Sequence, residues 1–167
     1  MSGSSSRNPG LGPEEYLRLM SHFPTGVTVA TTLDASGLPQ GMTASAVASA
    51  SLEPPLVLLC VDHAADFHAA VSAAPQFALS VLAGDQEHLS RRFAEERPDR
   101  FAGVPFRAGP GGIPLLDGAV AHIVCDKCGA HEAGDHTIFI GRVTGGDVFG
   151  GRPLVHFRSG YATTDDP

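Results

Sequence analysis

The sequence predicts a mainly β fold: a closed or partly closed antiparallel barrel carrying a few short helices. Three observations predict it. First, 20 glycines and 13 prolines in 167 residues cut the chain into short pieces, which suits many turns and disfavours a helix bundle. Second, roughly six or seven short runs are β-branched or alternate apolar with polar, each bounded by turn formers. Third, apolar stripes at helical spacing are few and short, so helices decorate a barrel rather than build the core. The chain is 43% hydrophobic and 17% charged, the balance of one soluble domain large enough for a real core.

Residues 1–12 read as a disordered lead and residues 13–167 as a single domain. The opening MSGSSSRNPG has no apolar signal core, which makes a cytoplasmic location the expectation. A helix is predicted over Pro13 to Phe23. Pro13 suits a first helical position, Tyr16, Leu17, Met20 and Phe23 make an apolar stripe, and Pro24 stops it. Gly26 to Leu33 (GVTVATTL) is β-branched and alternating, hence a strand. Asp34 to Gly37 is a turn, and Leu38 to Thr43 returns as its hairpin partner.

The chain is organised around residues 41 to 61, GMTASAVASASLEPPLVLLCV. Thr43, Ser45, Ser49 and Ser51 fall at odd positions, and Ala44, Ala46, Ala48 and Ala50 at even ones. If extended, this segment carries hydroxyls on one face and methyls on the other. Small residues let another body approach the backbone, where hydroxyls and N–H groups can hold phosphate or heteroaromatic edges. An Ala-rich helix over 43–51 is the alternative, because alanine is the best helix former. Leu56 to Val61 is an apolar run opened by Pro54 and Pro55, a buried strand with the prolines where no ladder donor is needed.

Further on, Ala64 to Ala74 is read as a helix with Phe67 and Val71 one turn apart, and Pro75 ends it. Gln76 to Leu82 is a strand with Phe77, Leu79 and Val81 on one face. Asp85 is the expected cap of a helix running to about Glu95, with Leu89 and Phe93 inward. Residues 98–118 are rich in proline and glycine and read as irregular, a lid or a packed loop. Strands follow at Ala119 to Cys125 and His136 to Val143, joined by a charged, glycine-containing bend. Gly145 to Gly151 reads as a turn region, Pro153 to Phe157 as a last strand, and the tail ends at Tyr161.

Charge and motifs exclude several functions. The net charge is −7 with no basic run, a poor match to nucleic acid or anionic membranes. No apolar run approaches the roughly 20 residues of a membrane-spanning helix. The odd set Cys60, Cys125 and Cys128 suits reduced thiols. There is no strand–GxGxxG–helix unit, no Walker A motif and no G-x-S-x-G elbow. Gly109-Pro110-Gly111-Gly112 has no following helix and is discounted as a phosphate cradle. Cys125, Cys128 and His131 have the spacing of a zinc half-site, which would need further ligands brought by folding. His22, His63, His68 and His88 read as surface residues. His136 follows Gly134 and Asp135 straight into a strong strand; Asp135 as a plain turn former is the competing explanation of that triplet.

With these residues in view, the chain closely resembles the flavin reductase-like family, short-chain NAD(P)H:flavin oxidoreductases built on an FMN-binding split barrel. The matching pieces come in the family's order over about residues 13–161. They are FPTGVTVATT at 23–32, the central stretch at 41–61, FALSVL at 77–82, HLSRRFA at 88–94, GDHTIFIGRV at 134–143 and PLVHFRSGY at 153–161. The GDH-plus-strand piece separates reductases from other flavin-binding split barrels.

The resemblance implies an antiparallel split β-barrel, a homodimer, and hydride transfer from NADH or NADPH to FMN or FAD. Reduced flavin would diffuse to a separate monooxygenase. Thr43, Ala44, Ser45 and Ala46 are similar to the segment along the flavin ring and ribityl chain. Ser49, Ala50 and Ser51 are similar to the segment that meets the ribityl chain and phosphate. Ser80 stands where the family often has Asn or Ser near the flavin, and Ser90, Arg91 and Phe93 lie on the helix approaching the phosphate. His136 corresponds to the nicotinamide-side histidine, and Tyr161 to a C-terminal residue near the same pocket. Cys128 and His131 lie outside the family pattern. No arginine cluster is committed to a 2′-phosphate, which favours NADH. A non-catalytic flavin-binding or electron-transfer barrel is the alternative, and a redox-silent ligand-binding barrel a more distant one.

Overall fold

Turn formers divide the β-branched runs, and a computed structural model, which describes residues 10–165, shows how the runs pair. In chain order the elements are α1 (Pro13–Met20), β1 (Thr25–Gly26), β2 (Thr28–Leu33), β3 (Pro39–Ala44), β4 (Val47–Ser51), β5 (Leu56–Asp62), α2 (Asp66–Ala73), β6 (Gln76–Val81), α3 (Glu87–Ala94), β7 (Phe106–Ala108), β8 (Pro114–Leu116), β9 (Ala121–Ala133), β10 (His136–Val148), β11 (Leu154–Phe157) and β12 (Gly160–Thr163). The predicted disordered lead falls outside the described residues except for Gly10, Leu11 and Gly12.

Seven antiparallel strands form one sheet in the order β3-β2-β6-β9-β10-β5-β4. Its two edges, β3 and β4, are joined in the chain by Ser45 and Ala46 alone. So short a link forces the sheet to curl until its edges meet, while β3 and β4 do not pair with each other. The result is a barrel left open along one seam, as the sequence predicts.

Two apolar layers use opposite faces of the same strands, as the period of two requires. The interior holds Ala30, Ala44, Leu59, Val61, Phe77, Leu79, Cys125 and Phe139, and α2 adds Phe67 and Val71 to it. The outer layer packs Val27, Val29 and Leu82 against Leu89 and Phe93 of α3, Leu116 and Leu154. Strand β2 is therefore buried on both faces, which explains its nearly unbroken apolar and Thr sequence. Over β4, β5 and β10 the outer face is left half-buried at Leu58, Cys60, Ile138 and Ile140.

The Asp34 turn forms as predicted. One carboxylate oxygen accepts from the Ser36 N–H at 2.9 Å, the Ser36 hydroxyl at 2.6 Å and the Leu38 N–H at 3.0 Å. The Ser36 hydroxyl, then the Leu38 amide, hold this carboxyl down at about 2. A depressed carboxyl contributes stability that is present above the unfolded value and lost as pH falls through the folded one. We expect the β2–β3 hairpin to loosen between about pH 4 and pH 2, and Asp34→Asn to remove that acid dependence. Amide exchange at Leu38 followed across this range checks it; a flat profile in the parent protein would refute it.

Several boundaries differ from the sequence reading. Helix α1 ends at Met20, not Phe23, and Tyr16, Leu17, Met20 and Phe23 are exposed. The Gly26–Leu33 strand divides at Val27, whose N–H donates to Leu154 and whose carbonyl accepts from Leu82. Asp85 does not cap α3; the cap position is Gln86, whose side chain instead bridges the Ala83 N–H and the Asp117 carbonyl. The irregular segment 98–118 contains the β7–β8 hairpin, with Ile113, Leu115 and Leu116 buried on the barrel.

The predicted bend after Cys125 is strand as far as Ala133, and the predicted turn at 145–151 is strand as far as Val148, leaving only 149–151 as a turn region. Strands β9 and β10 form one long hairpin turning at Gly134 and Asp135, with register shifts that leave Cys128 and Thr144 without a cross-strand partner. Pairing of β9 with a long partner outweighed their weak local preference. The tail does not stop at Tyr161; β12 pairs with β11 through Thr163.

Candidate functional site

Residues 43–51 are extended, so the helical alternative fails. The simple division into a hydroxyl face and a methyl face fails too. The chain leaves β3 after Ala44, crosses the seam at Ser45 and Ala46, and shifts register between Ser49 and Ser51. Ala44 turns into the interior, while Ser45, Ala46, Ala48, Ser49 and Ala50 are exposed and Ser51 is half-buried. A strip of small side chains thus runs along the seam beside two strands that each have one unpaired edge.

One flank of the strip is α3. The Thr43 hydroxyl donates to the Ser90 carbonyl at 2.6 Å, tying β3 to the helix. Ser90 is fully buried, and its hydroxyl lies 2.9 Å from that of Tyr161. The exposed Arg91 guanidinium sits 5.1 Å from the centre of the Tyr161 ring and 2.7 Å from Glu87, which raises its already high pKa. Phe93 is wholly in the core. A Cβ at Gly41 would lie 2.9 Å from the Phe93 ring, so glycine at 41 permits this close seating of α3 on β3.

The other flank is the β9–β10 turn. The Ala46 carbonyl accepts from the Cys60 N–H at 3.0 Å, Cys60 pairs with Ile138, and Asp62 pairs with His136. His136 therefore stands two strands from the seam, roughly 10 Å across the ladder. Its Nδ1 lies 2.7 Å from the Asp135 carboxylate, and this bond holds the Asp135 carboxyl below its ordinary value.

The structure thus brings Thr43, Ser90, Arg91 and Tyr161 together at one end, Ser45, Ala46, Ser49, Ala50 and Ser51 along the seam, and His136 beyond it. Tyr161 joins the α3 end. Ser80 stands apart: it is fully buried on β6, two strands in from β3, and accepts from the Leu116 N–H at 3.1 Å. Two clefts of about 470 and 530 Å³ lie elsewhere on the surface, and neither includes 43–51 or His136.

The Cys125, Cys128 and His131 spacing makes no metal centre here. Cys125 is inside the barrel, where burial pushes its thiol up to about 12, while Cys128 and His131 are exposed. Among the described residues no group of three or more His, Cys, Asp or Glu side chains could hold a metal ion. Sequence reasoning missed His63, His68, Glu132 and Thr137, which meet beside the β9–β10 turn. Only strand pairing brings them together, and no spacing in the sequence signals it.

Fold and site define a class: a split barrel with a narrow strip of small residues along its seam, of the flavin-binding kind. The chain belongs to the flavin reductase-like domain family, whose model matches residues 20–165. It is 38% identical over 152 residues to the reductase subunit HsaB of a flavin-dependent monooxygenase from Rhodococcus jostii, covering 90% of this chain and 77% of that protein. It is 42% identical over 162 residues to a flavin reductase (NADH) of Kitasatospora aureofaciens, covering 92% of this chain and 83% of that one. Among solved structures, the NADH:FAD oxidoreductase of Streptomyces globisporus in complex with NAD and FAD fragments superposes with a TM-score of 0.87 at 38% identity, covering 94% of this chain and 97% of that one.

Proposed function

We propose that this chain is an NADH-dependent flavin reductase that supplies reduced FMN or FAD to a separate flavin-dependent monooxygenase. The observation that carries the reading is the seam, where small exposed side chains lie beside free strand edges in a barrel of this family. These residues fit a flavin: nothing larger than serine or alanine stands at 45, 46 and 48–50, so a flat ring can lie against main chain. When bound, the flavin accepts a hydride from the nicotinamide and carries the electronics of the reaction.

The protein's task is to stack two planar rings and exclude water. Thr43, Ser45 and Ala46 line the ring and ribityl chain, with Ala44 turned into the interior beneath them, and Ser49 to Ser51 meet the ribityl chain and phosphate. Arg91 is the exposed cation at the α3 end of the strip, on the helix that Thr43 ties to β3. Ser80, Ser90 and Phe93 have no exposed surface and act by holding β6, α3 and their neighbours in place. Tyr161 steadies Ser90 and Arg91. His136, oriented by Asp135, covers the nicotinamide and shuttles no proton.

Residues 13–167 work as one domain, and two copies form the active unit. The half-buried apolar outer face at Leu58, Cys60, Ile138 and Ile140 and the exposed stripe of α1 support a homodimer, because a second copy would remove both from water. Light scattering at micromolar concentration tests this. Among the described residues no helix is long and apolar enough to cross a membrane; dependence on NADH supports a cytoplasmic location. Reduced flavin reaches the oxygenase by diffusion, which requires that the chain release it.

Oxidation of NADH and NADPH with FMN, FAD and riboflavin in turn tests the function. NADH consumption with FMN or FAD is expected; a yellow protein that consumes no NADH would leave it a non-catalytic flavin binder. His136→Ala should raise the NADH KM about tenfold, the scale of one good contact, with flavin affinity within about twofold of the parent. Loss of flavin affinity with an unchanged NADH KM would remove His136 from the nicotinamide side.

A further inference from the structure

The β9–β10 turn that carries His136 is held by a cluster outside the seam. Thr137 follows His136 on β10, and its side chain is buried at the end of the barrel interior. The Thr137 hydroxyl lies 3.1 Å from His63 Nε2, on the loop after β5, and 2.9 Å from His68 Nε2, on α2. It donates to the Glu132 carboxylate at 3.2 Å. His63 Nε2 is also 3.0 Å from the other Glu132 oxygen.

A hydroxyl has one proton and two lone pairs, so Thr137 can donate to Glu132 and still take part in hydrogen bonds with both imidazoles. The His63 and His68 rings meet edge to face at 5.1 Å, and His68 also packs 5.8 Å from Phe139. The His63 backbone N–H donates to the Asp135 carbonyl at 3.0 Å. Main chain and side chain of one loop thus grip residues 135 and 137, on either side of His136.

We propose that His63, His68 and Thr137 form a positioning clamp for His136. The clamp joins the β5–α2 loop, the α2 plug and the β9–β10 turn, and so fixes the backbone from which the His136 imidazole meets the nicotinamide. This inference rests on the reading of His136 given above. The clamp residues act through His136 and through Asp135, whose carboxylate holds the ring at Nδ1. An imidazole on a free hairpin turn would sample many positions, and a hydride transfer is sensitive to small misplacements.

The test compares Thr137→Val, which keeps the shape and removes the hydroxyl, with Thr137→Ser, which keeps the hydroxyl. Thr137→Val should raise the NADH KM roughly three- to tenfold, the worth of one or two hydrogen bonds, with the flavin dissociation constant unchanged. Thr137→Ser should return the NADH KM to within about twofold of the parent. In a His136→Ala background the Thr137→Val effect should vanish, since the two act as one unit. His63→Ala, at a partly solvated side chain, repeats the cycle if Thr137→Val fails to fold.

A Thr137→Val KM unchanged from the parent overturns the clamp, as does an equal effect in the His136→Ala background. A parallel loss of flavin affinity also overturns it, because the cluster would then be holding the barrel at large. If His136→Ala itself leaves the NADH KM unchanged, the reading of His136 fails first, and the two failures are told apart by that single variant.

Discussion

Replacing Ala46 with phenylalanine is expected to weaken flavin binding by up to about a hundredfold while leaving the barrel folded. Ala46 is exposed, so a larger side chain meets solvent, not core, and thermal stability should stay within a degree or two of the parent. The same ring would stand on the strip where the isoalloxazine must lie flat. Overpacking a close contact costs about 1–3 kcal/mol, and 2.7 kcal/mol is roughly a hundredfold in affinity. Flavin titration by fluorescence quenching reads the dissociation constant, and NADH oxidation should fall with it. Ala46→Ser, which keeps the strip low, should bind flavin as the parent does. Unaltered flavin affinity in Ala46→Phe would place the cofactor somewhere other than the seam.

Gly141→Ala should be the most damaging single methyl in the interior. A Cβ at 141 would lie 2.5 Å from the tip of the Phe77 ring and 2.7 Å from the Cys125 Cβ. Both neighbours are fully buried, and Cys125 meets the new methyl with its own Cβ, which only backbone movement can shift. We expect a loss of about 3 kcal/mol, which for a domain of this size lowers the melting temperature by roughly 6–12 °C. Adding Phe77→Leu should recover part of it by shortening the ring. At low temperature the NADH KM should be little changed, since Gly141 is remote from His136 along β10. A melting temperature equal to the parent's would show that the interior has slack that these contacts deny.

Much of the fold was legible because its signals are local. Phe67 and Val71 one turn apart placed α2, and both are buried. The period of two placed β6, and the proline pair opened β5 as expected. The misreadings share a cause. Residues 126–133 and 144–148 are polar or glycine-rich and carry no strand signal of their own, yet β9 and β10 extend through them because each supplies the other's hydrogen bonds. Asp85 looks like a cap, but Gln86 holds that position because its amide has two backbone partners in reach. His63 and His68 look like surface histidines until pairing brings Thr137 between them.

The sequence by itself determined that the chain is an antiparallel barrel, closed or partly closed, since small residues, prolines and turn formers act within a few neighbours. It also carried the family's ordered pieces, from FPTG to SGY. Only the tertiary structure decided which hydroxyls are spent inside, at Ser80 and Ser90, and which stay open, at Ser45 and Ser49. It alone brought Tyr161 to Arg91 and gathered two histidines around one threonine. The reason is physical: a strand's period settles which face a side chain takes, but what waits on that face comes from residues far away in the chain.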